Sequence, residues 1–305
     1  MKIQSEQAIS ILQEGGVVAL PTETVYGLAA DAFSPSAIRK IFQLKRRPQD
    51  NPLIVHIHKR EELSLLCSEL PPSLDALIDA FWPGPLTFVL PALASVPLEA
   101  RGGLNSVAVR MPAHPLMRQV LASTGPLVAP SANLSGKPSP TTAEHVEEDF
   151  GGAFPVVDGG PCSRGLESTV IVYFEGSWHI ARPGALSGEE LGSIVGKTVL
   201  PLPKTEKPLA PGSHYRHYSP EAKLSRLTAG SGVVLGFDER LYQEASKVYT
   251  LGSLQDPQGV AASLYALLRR LDSEGVAAAE VDLDFPPSGL WNTIRERLLR
   301  AIDVN

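Results

Sequence analysis

Apolar positions fall in short runs separated by amphipathic stretches. Residues 17–20, 53–57, 86–90, 106–110, 127–129, 156–157, 168–174 and 178–181 have the length and the β-branched or aromatic content of buried strands. Residues 5–13, 34–44, 61–66, 73–81, 114–122, 142–149 and 187–194 read as helices. In 34–44, for example, Ser-Pro-Ser opens the segment and Ile38, Ile41 and Phe42 follow at helical spacing. This irregular mixture predicts an α/β or α+β domain over residues 1–196. Residues 197–222 are dense in Pro and Lys and lack periodicity, the pattern of an interdomain linker. Strands at 232–237, 248–251 and 277–283, with helices at 258–271 and 291–302, then predict a small βαβ-type, Rossmann-like domain over 223–305.

The polar positions cluster at the ends of those runs. Pro21-Thr22-Glu23-Thr24-Val25-Tyr26-Gly27-Leu28 follows the first strand at once, placing two hydroxyls, a carboxylate and a phenol where ligands bind in open α/β sheets. Lys45-Arg46-Arg47 closes a helix just before the strand at 53–57. A compact ammonium and a flat five-donor guanidinium held there suit an anion. Ser106 opens the strand that closes on Arg110. Pro130-Ser131-Ala132-Asn133 supplies small neutral hydrogen-bonding groups, and Glu167-Ser168-Thr169-Val170 opens another strand on a carboxylate and a hydroxyl. Each has a plainer reading. Charge runs usually face water, His56 alternates with Val55 and Ile57 as a satisfied strand histidine would, and Arg110 could be a surface strand end. Trp82-Pro83-Gly84-Pro85 reads as a structural corner.

Taken in order, LPTETVYGL, the Lys-x-Arg of Lys45 and Arg47, Asn51-Pro52-Leu53, WPGPLT at 82–87, VAVRMP at 107–112, PSAN at 130–133 and ESTV resemble the threonylcarbamoyl-AMP synthase (YrdC-like) family over residues 1 to about 200. Pro211-Gly212-Ser213-His214-Tyr215-Arg216-His217-Tyr218-Ser219-Pro220 resembles the linker of its long, two-domain form. The resemblance implies a twisted mixed sheet around a large concave cavity. It also implies synthesis of threonylcarbamoyl-AMP and pyrophosphate from L-threonine, bicarbonate and ATP, with Mg²⁺ carried by the nucleotide. The product would pass to a separate threonylcarbamoyl transferase complex acting on tRNA. The catalytic set it implies is Lys45, Arg47, Ser131 and Asn133. ATP would meet Arg47, Asn51, Ser106, Ser131, Ser139, Arg182 and Tyr218, with Tyr215 a second linker candidate for closing over the nucleotide. Threonine would meet Thr24, Lys45, His56, Arg110, Ser168 and the Ala129 backbone.

Composition narrows the alternatives. Net charge is -6, which argues against a globally basic nucleic-acid binder and leaves only a local patch, Arg39 to Arg60, for a weak tRNA contact. A non-catalytic double-stranded RNA-binding module is the competing function. The two cysteines, Cys67 and Cys162, form neither a metal spacing nor a disulfide framework, and the absent CxxC motifs disfavour a hydrogenase-maturation carbamoyl transferase. His214 and His217 invite a zinc reading without a Cys or carboxylate partner nearby. Gly160 to Gly165 has the glycine spacing of a phosphate loop, but Leu166-Glu167 stands where Lys-Ser/Thr is needed. No apolar run approaches membrane-spanning length, and a cytoplasmic protein is expected.

Overall fold

The computed structural model describes residues 1–203 and 219–302. The first part runs β1 (Lys2–Ile3), α1 (Ser5–Gln13), β2 (Val18–Leu20), β3 (Gly27–Asp31), α2 (Pro35–Lys45), β4 (Ile54–His56), α3 (Leu74–Phe81), β5 (Leu86–Pro91), α4 (Leu98–Arg101), β6 (Ser106–Arg110), α5 (Pro115–Thr124), β7 (Leu127–Val128), α6 (Ala143–Phe150), β8 (Val156–Val157), β9 (Thr169–Phe174), β10 (Ser177–Arg182) and α7 (Gly188–Val195). The second runs β11 (Lys223–Arg226), β12 (Val233–Phe237), β13 (Lys247–Gly252), α8 (Pro257–Ser273), β14 (Ala278–Val281) and α9 (Leu290–Ile302).

Strands β1 to β10 form one mixed sheet in the order β1-β8-β2-β3-β7-β4-β6-β5-β9-β10, and β11 to β14 a separate parallel sheet in the order β11-β14-β12-β13. The fold is α/β, as the alternation of runs predicts. Four elements were not anticipated. β1, Lys2–Ile3, is a two-residue edge strand paired with β8. β3 is made of Gly27-Leu28-Ala29-Ala30-Asp31, small residues continuous with the polar loop before it. β11 reads Lys-Leu-Ser-Arg, a mostly exposed edge strand with one buried leucine. α4 spans a single turn. Residues 60–65, overlapping the segment 61–66 read as helical, form a 3₁₀ helix.

Register in the large sheet decides what comes together. In the parallel pair β4/β6, His56 stands beside Arg110, and in the antiparallel pair β5/β6, Arg110 stands beside Thr87. A polar row therefore crosses three neighbouring strands at one edge of an otherwise apolar core. β9 runs parallel to β5, so Ser168, just ahead of β9, arrives at the same edge. The corner before β5 carries a cis Trp82–Pro83 bond, and the Trp82 indole N–H donates to the Leu86 carbonyl at 2.7 Å.

Helix α2 shows how local sequence aims the chain at that edge. Ser34 caps its start by accepting from the Ala37 N–H, and Pro35 occupies the first turn. Its end is Arg46 in the left-handed conformation, φ 51°, unusual for a residue with a side chain. That turn buries Lys45, exposes Arg46, and leaves Arg47 half-buried.

The second sheet is covered by α8 and α9, whose apolar faces build a core with Leu235, Phe237, Leu251 and Val281. Val25 and Leu166, from the first part of the chain, belong to the same cluster. Gly165, with φ +68°, lies so close to α8 that an added Cβ would sit 2.4 Å from the Ala262 Cα. The first part of the chain and α8 thus meet along a packed seam.

Candidate active site

A cavity of about 650 Å³, its mouth included, opens where the polar row meets the loops after β2, α2 and β7. Two sets of groups line it.

The first is built around Arg110, which is 3% exposed. Its Nε–H donates to the Gly84 carbonyl at 3.1 Å and Nη1 to the Thr24 hydroxyl at 2.8 Å, while Nη2 pairs with Glu23. The second Glu23 oxygen accepts from the Ala113 N–H at 3.1 Å. Burial alone would raise the Glu23 pKa, but the Arg110 charge and hydrogen bond outweigh it and hold the carboxyl below its ordinary range. Thr24 is locked again by Thr22 at 2.8 Å. Ser168 and Thr87 share a 2.7 Å hydroxyl–hydroxyl hydrogen bond. His56 lies with Nδ1 3.2 Å from the Ile54 carbonyl. A carbonyl only accepts, so Nδ1 carries the hydrogen and Nε2 is left as an acceptor. Burial, helped by nearby Arg110, pushes the His56 pKa down to about 3, so the ring is neutral. Ala129 completes this side.

The second set comprises Arg47, Ser131, Asn133, Lys137, Ser139, Glu167 and Arg182. Arg47 donates to the Pro52 carbonyl at 3.2 Å, which presses its guanidinium against the chain entering β4. Asn133 Nδ2 donates to the carbonyls of Leu134 and Lys137, at 2.8 and 3.0 Å, and its buried Oδ1 has no partner among the described residues. Ser139 donates to Glu167 at 2.7 Å. Arg182 Nη2 donates to the Ser168 carbonyl at 2.8 Å, so Ser168 joins the two sets.

The residues singled out in the sequence therefore converge, with four exceptions. Lys45 is 1% exposed and stands behind the cavity wall, where its ammonium donates to the carbonyls of Ser131 and Asn133. Burial and the nearby Arg47 charge push its pKa well down. Lys45 thus clamps the Pro130–Asn133 loop from behind. Asn51 is buried beside the lining residue Pro52 without lining the cavity itself. Ser106 is also absent from the lining; it lies two residues before Ala108, the register partner of Ile54. Tyr218, with Tyr215, His214 and His217, lies outside the described residues. Glu23, Glu167, Thr87 and Lys137 were not assigned roles from sequence. The two glutamates did carry a signal, since a carboxylate inside a strand-end motif with apolar flanks needs a buried cation, but nothing local names the partner.

Several cations of the basic segment are already engaged within the molecule. Arg39 pairs with Glu99, Lys40 donates to the Gly15 carbonyl, Arg60 pairs with Asp75, and Lys45 is buried. Among the described residues no three His, Cys, Asp or Glu side chains converge as metal ligands, and no helix is long and apolar enough to cross a membrane.

Residues 10–184 match the Sua5/YciO/YrdC family, described as "Telomere recombination", and residues 186–302 match the threonylcarbamoyl-AMP synthase C-terminal domain. The chain belongs to the threonylcarbamoyl-AMP synthase family. A member from Pyrococcus abyssi is 42% identical, the match covering 96% of this chain and 92% of that one; a member from Bacillus subtilis is 38% identical over 98% and 92%. The crystal structure of P. abyssi Sua5 complexed with L-threonine superimposes with a TM-score of 0.89 at 37% identity, covering 99% of this chain and 96% of that chain. HypF of T. kodakarensis, 18% identical with a TM-score of 0.53, shares the fold over 59% of this chain. The family's long form accounts for the second sheet.

Proposed function

We propose that the chain is an L-threonylcarbamoyladenylate synthase, making threonylcarbamoyl-AMP and pyrophosphate from L-threonine, bicarbonate and ATP. Its product would serve a downstream threonylcarbamoyl transferase complex that modifies an adenosine next to the tRNA anticodon, in the cytoplasm. The observation that carries this reading is one cavity that joins a fixed guanidinium–hydroxyl–imidazole cluster to a second, arginine-lined wall.

The chemistry asks for alignment rather than a protein nucleophile. The threonine amine and bicarbonate condense to a carbamate with loss of water. A carbamate oxygen then bonds to the α-phosphorus while the bond from that phosphorus to the oxygen bridging to the β-phosphorus breaks, releasing pyrophosphate. Arg110, its direction fixed by Glu23, Thr24 and Gly84, has N–H donors left over for the threonine carboxylate. Thr24 and Ser168 would read the substrate hydroxyl, and neutral His56 would accept from its amine. A ring with a pKa near 3 positions that amine but is a poor base for it. Arg47 and Arg182 oppose the phosphates, with Ser131 and Ser139 as neutral donors. Mg²⁺ bound to the nucleotide would neutralise phosphate charge. Among the described residues the buried Asn133 Oδ1 has no partner and is the lining oxygen that would face such an ion, which would otherwise be held by the phosphates. Lys45 acts through the loop it clamps.

Pyrophosphate release from ATP tests the reading, with threonine and bicarbonate supplied together or singly and valine as control. Release that needs both, and that falls about 100-fold or more with valine because the hydroxyl-reading groups lose their partner, is expected. Release indifferent to the amino acid would contradict it.

A further inference from the structure

The groups that hold the Ser139 side of the cavity come from the other sheet's helices. Tyr265 and Arg269, four residues apart on α8, and Thr293 and Arg297, four apart on α9, form one stripe on each helix. These stripes face the first part of the chain. The Tyr265 hydroxyl donates to Glu167 Oε2 at 2.9 Å, and Arg297 Nε lies 3.2 Å from the same oxygen. The other Glu167 oxygen accepts from Ser139. Arg269 donates to the Pro138 carbonyl at 2.7 Å, directly before Ser139, and pairs with Asp149 at 2.7 Å. Arg297 and Thr293 donate to the carbonyls of Pro183 and Gly184, directly after Arg182, at 2.8 and 3.0 Å. Tyr265, Arg297, Glu167 and Ser139 are all buried. By contrast, the hydrogen bonds described for Arg110, Thr24, Thr87 and His56 all stay within the first part.

We propose that α8 and α9 of the second domain are the positioning wall of the nucleotide half of the cavity, acting through Glu167, so that they set ATP affinity and leave threonine affinity alone. Glu167 is the relay, a carboxylate that fixes the Ser139 hydroxyl because Tyr265 and Arg297 fix it in turn. Tyr265 and Arg297 are positioning residues. Backbone contacts at Pro138, Pro183 and Gly184 hold the same wall at its two margins. This rests on the assignment of the Ser139 and Arg182 side to ATP.

The test is calorimetric titration of the full chain with ATP and, separately, with L-threonine, for wild type, Tyr265→Phe, and Glu167→Gln as a second variant that keeps the shape. Tyr265→Phe should weaken ATP about tenfold, the equivalent of losing one hydrogen bond to a charged group, with threonine affinity within about twofold. Glu167→Gln should weaken ATP by a similar factor, and combining the two should add little, since both act through one carboxylate. Wild-type ATP affinity retained in Tyr265→Phe and Glu167→Gln, or equal losses for ATP and threonine, would overturn the proposal while the synthase reading stood. A wild type that binds neither ligand would overturn both.

Discussion

The two sides of the cavity are built by different means. On the Arg110 side every fixing partner lies within one sheet and its loops. Register alone lines up His56, Arg110 and Thr87, and Glu23 and Thr24 arrive from the loop after β2. The Ser139 side is tethered across the seam to α8 and α9. A single sheet can present a short rigid row, enough for a ligand of amino-acid size. In this chain the second domain adds a wall from further away to the Ser139 side. The comparison also separates two kinds of buried cation. Arg110 uses its planar fork to hold three partners and still faces the cavity, whereas Lys45 spends a point charge on carbonyls behind it.

The harshest way to break that contrast is Arg110→Met. It leaves Glu23 buried without its cation, which should cost about 3–5 kcal/mol of stability in a urea melt and abolish threonine-dependent turnover. Lys45→Met sharpens the second distinction. Two loop carbonyls lose their donor, so a loss of about 1–3 kcal/mol is expected in the same melt. A pH series probes the buried imidazoles next. Burial pushes the pKa of His56 to about 3 and that of His145 to about 4. The folded state stays neutral at these rings while the unfolded chain takes up protons below about pH 6.5. Stability should therefore fall as pH drops from about 6.5 toward 4, by up to about 1.4 kcal/mol per pH unit for each ring, and His56→Gln should flatten part of that slope. The smallest effect belongs to Ser106→Ala. Ser106 does not line the cavity, so stability should change by no more than about 0.5 kcal/mol and turnover should hold.

Much of this was legible in the chain itself. The runs that became β2, β5, β6 and β9 are short and apolar, and the segment that became α2 carries a clear start signal, Ser34-Pro35. Motifs at strand ends singled out Thr24, Arg110, Ser131 and Ser168, which the fold gathers on one cavity. β3 was hidden because its alanines and glycine have little β preference and gain their stability from burial between β2 and β7. Lys45 was misleading for a different reason. An ammonium in a basic run looks like an anion grip, and only the fold reveals two carbonyls waiting beneath it. Glu167 carried a signal as a strand-end carboxylate, but nothing local named its partners, since Ser139, Tyr265 and Arg297 lie 28, 98 and 130 residues from it in sequence.

The contrast between the two sides is tested most directly by measuring threonine and ATP affinities in Arg110→Lys and Arg269→Met side by side. Arg110→Lys keeps the charge opposite Glu23 but loses the fork, and Arg269→Met cuts the tether at Pro138. A crossed pattern is predicted, with threonine weakened in the first, ATP weakened in the second, and the other ligand little changed in each. If both substitutions weaken both ligands alike, the cavity is one undivided unit and the account is wrong.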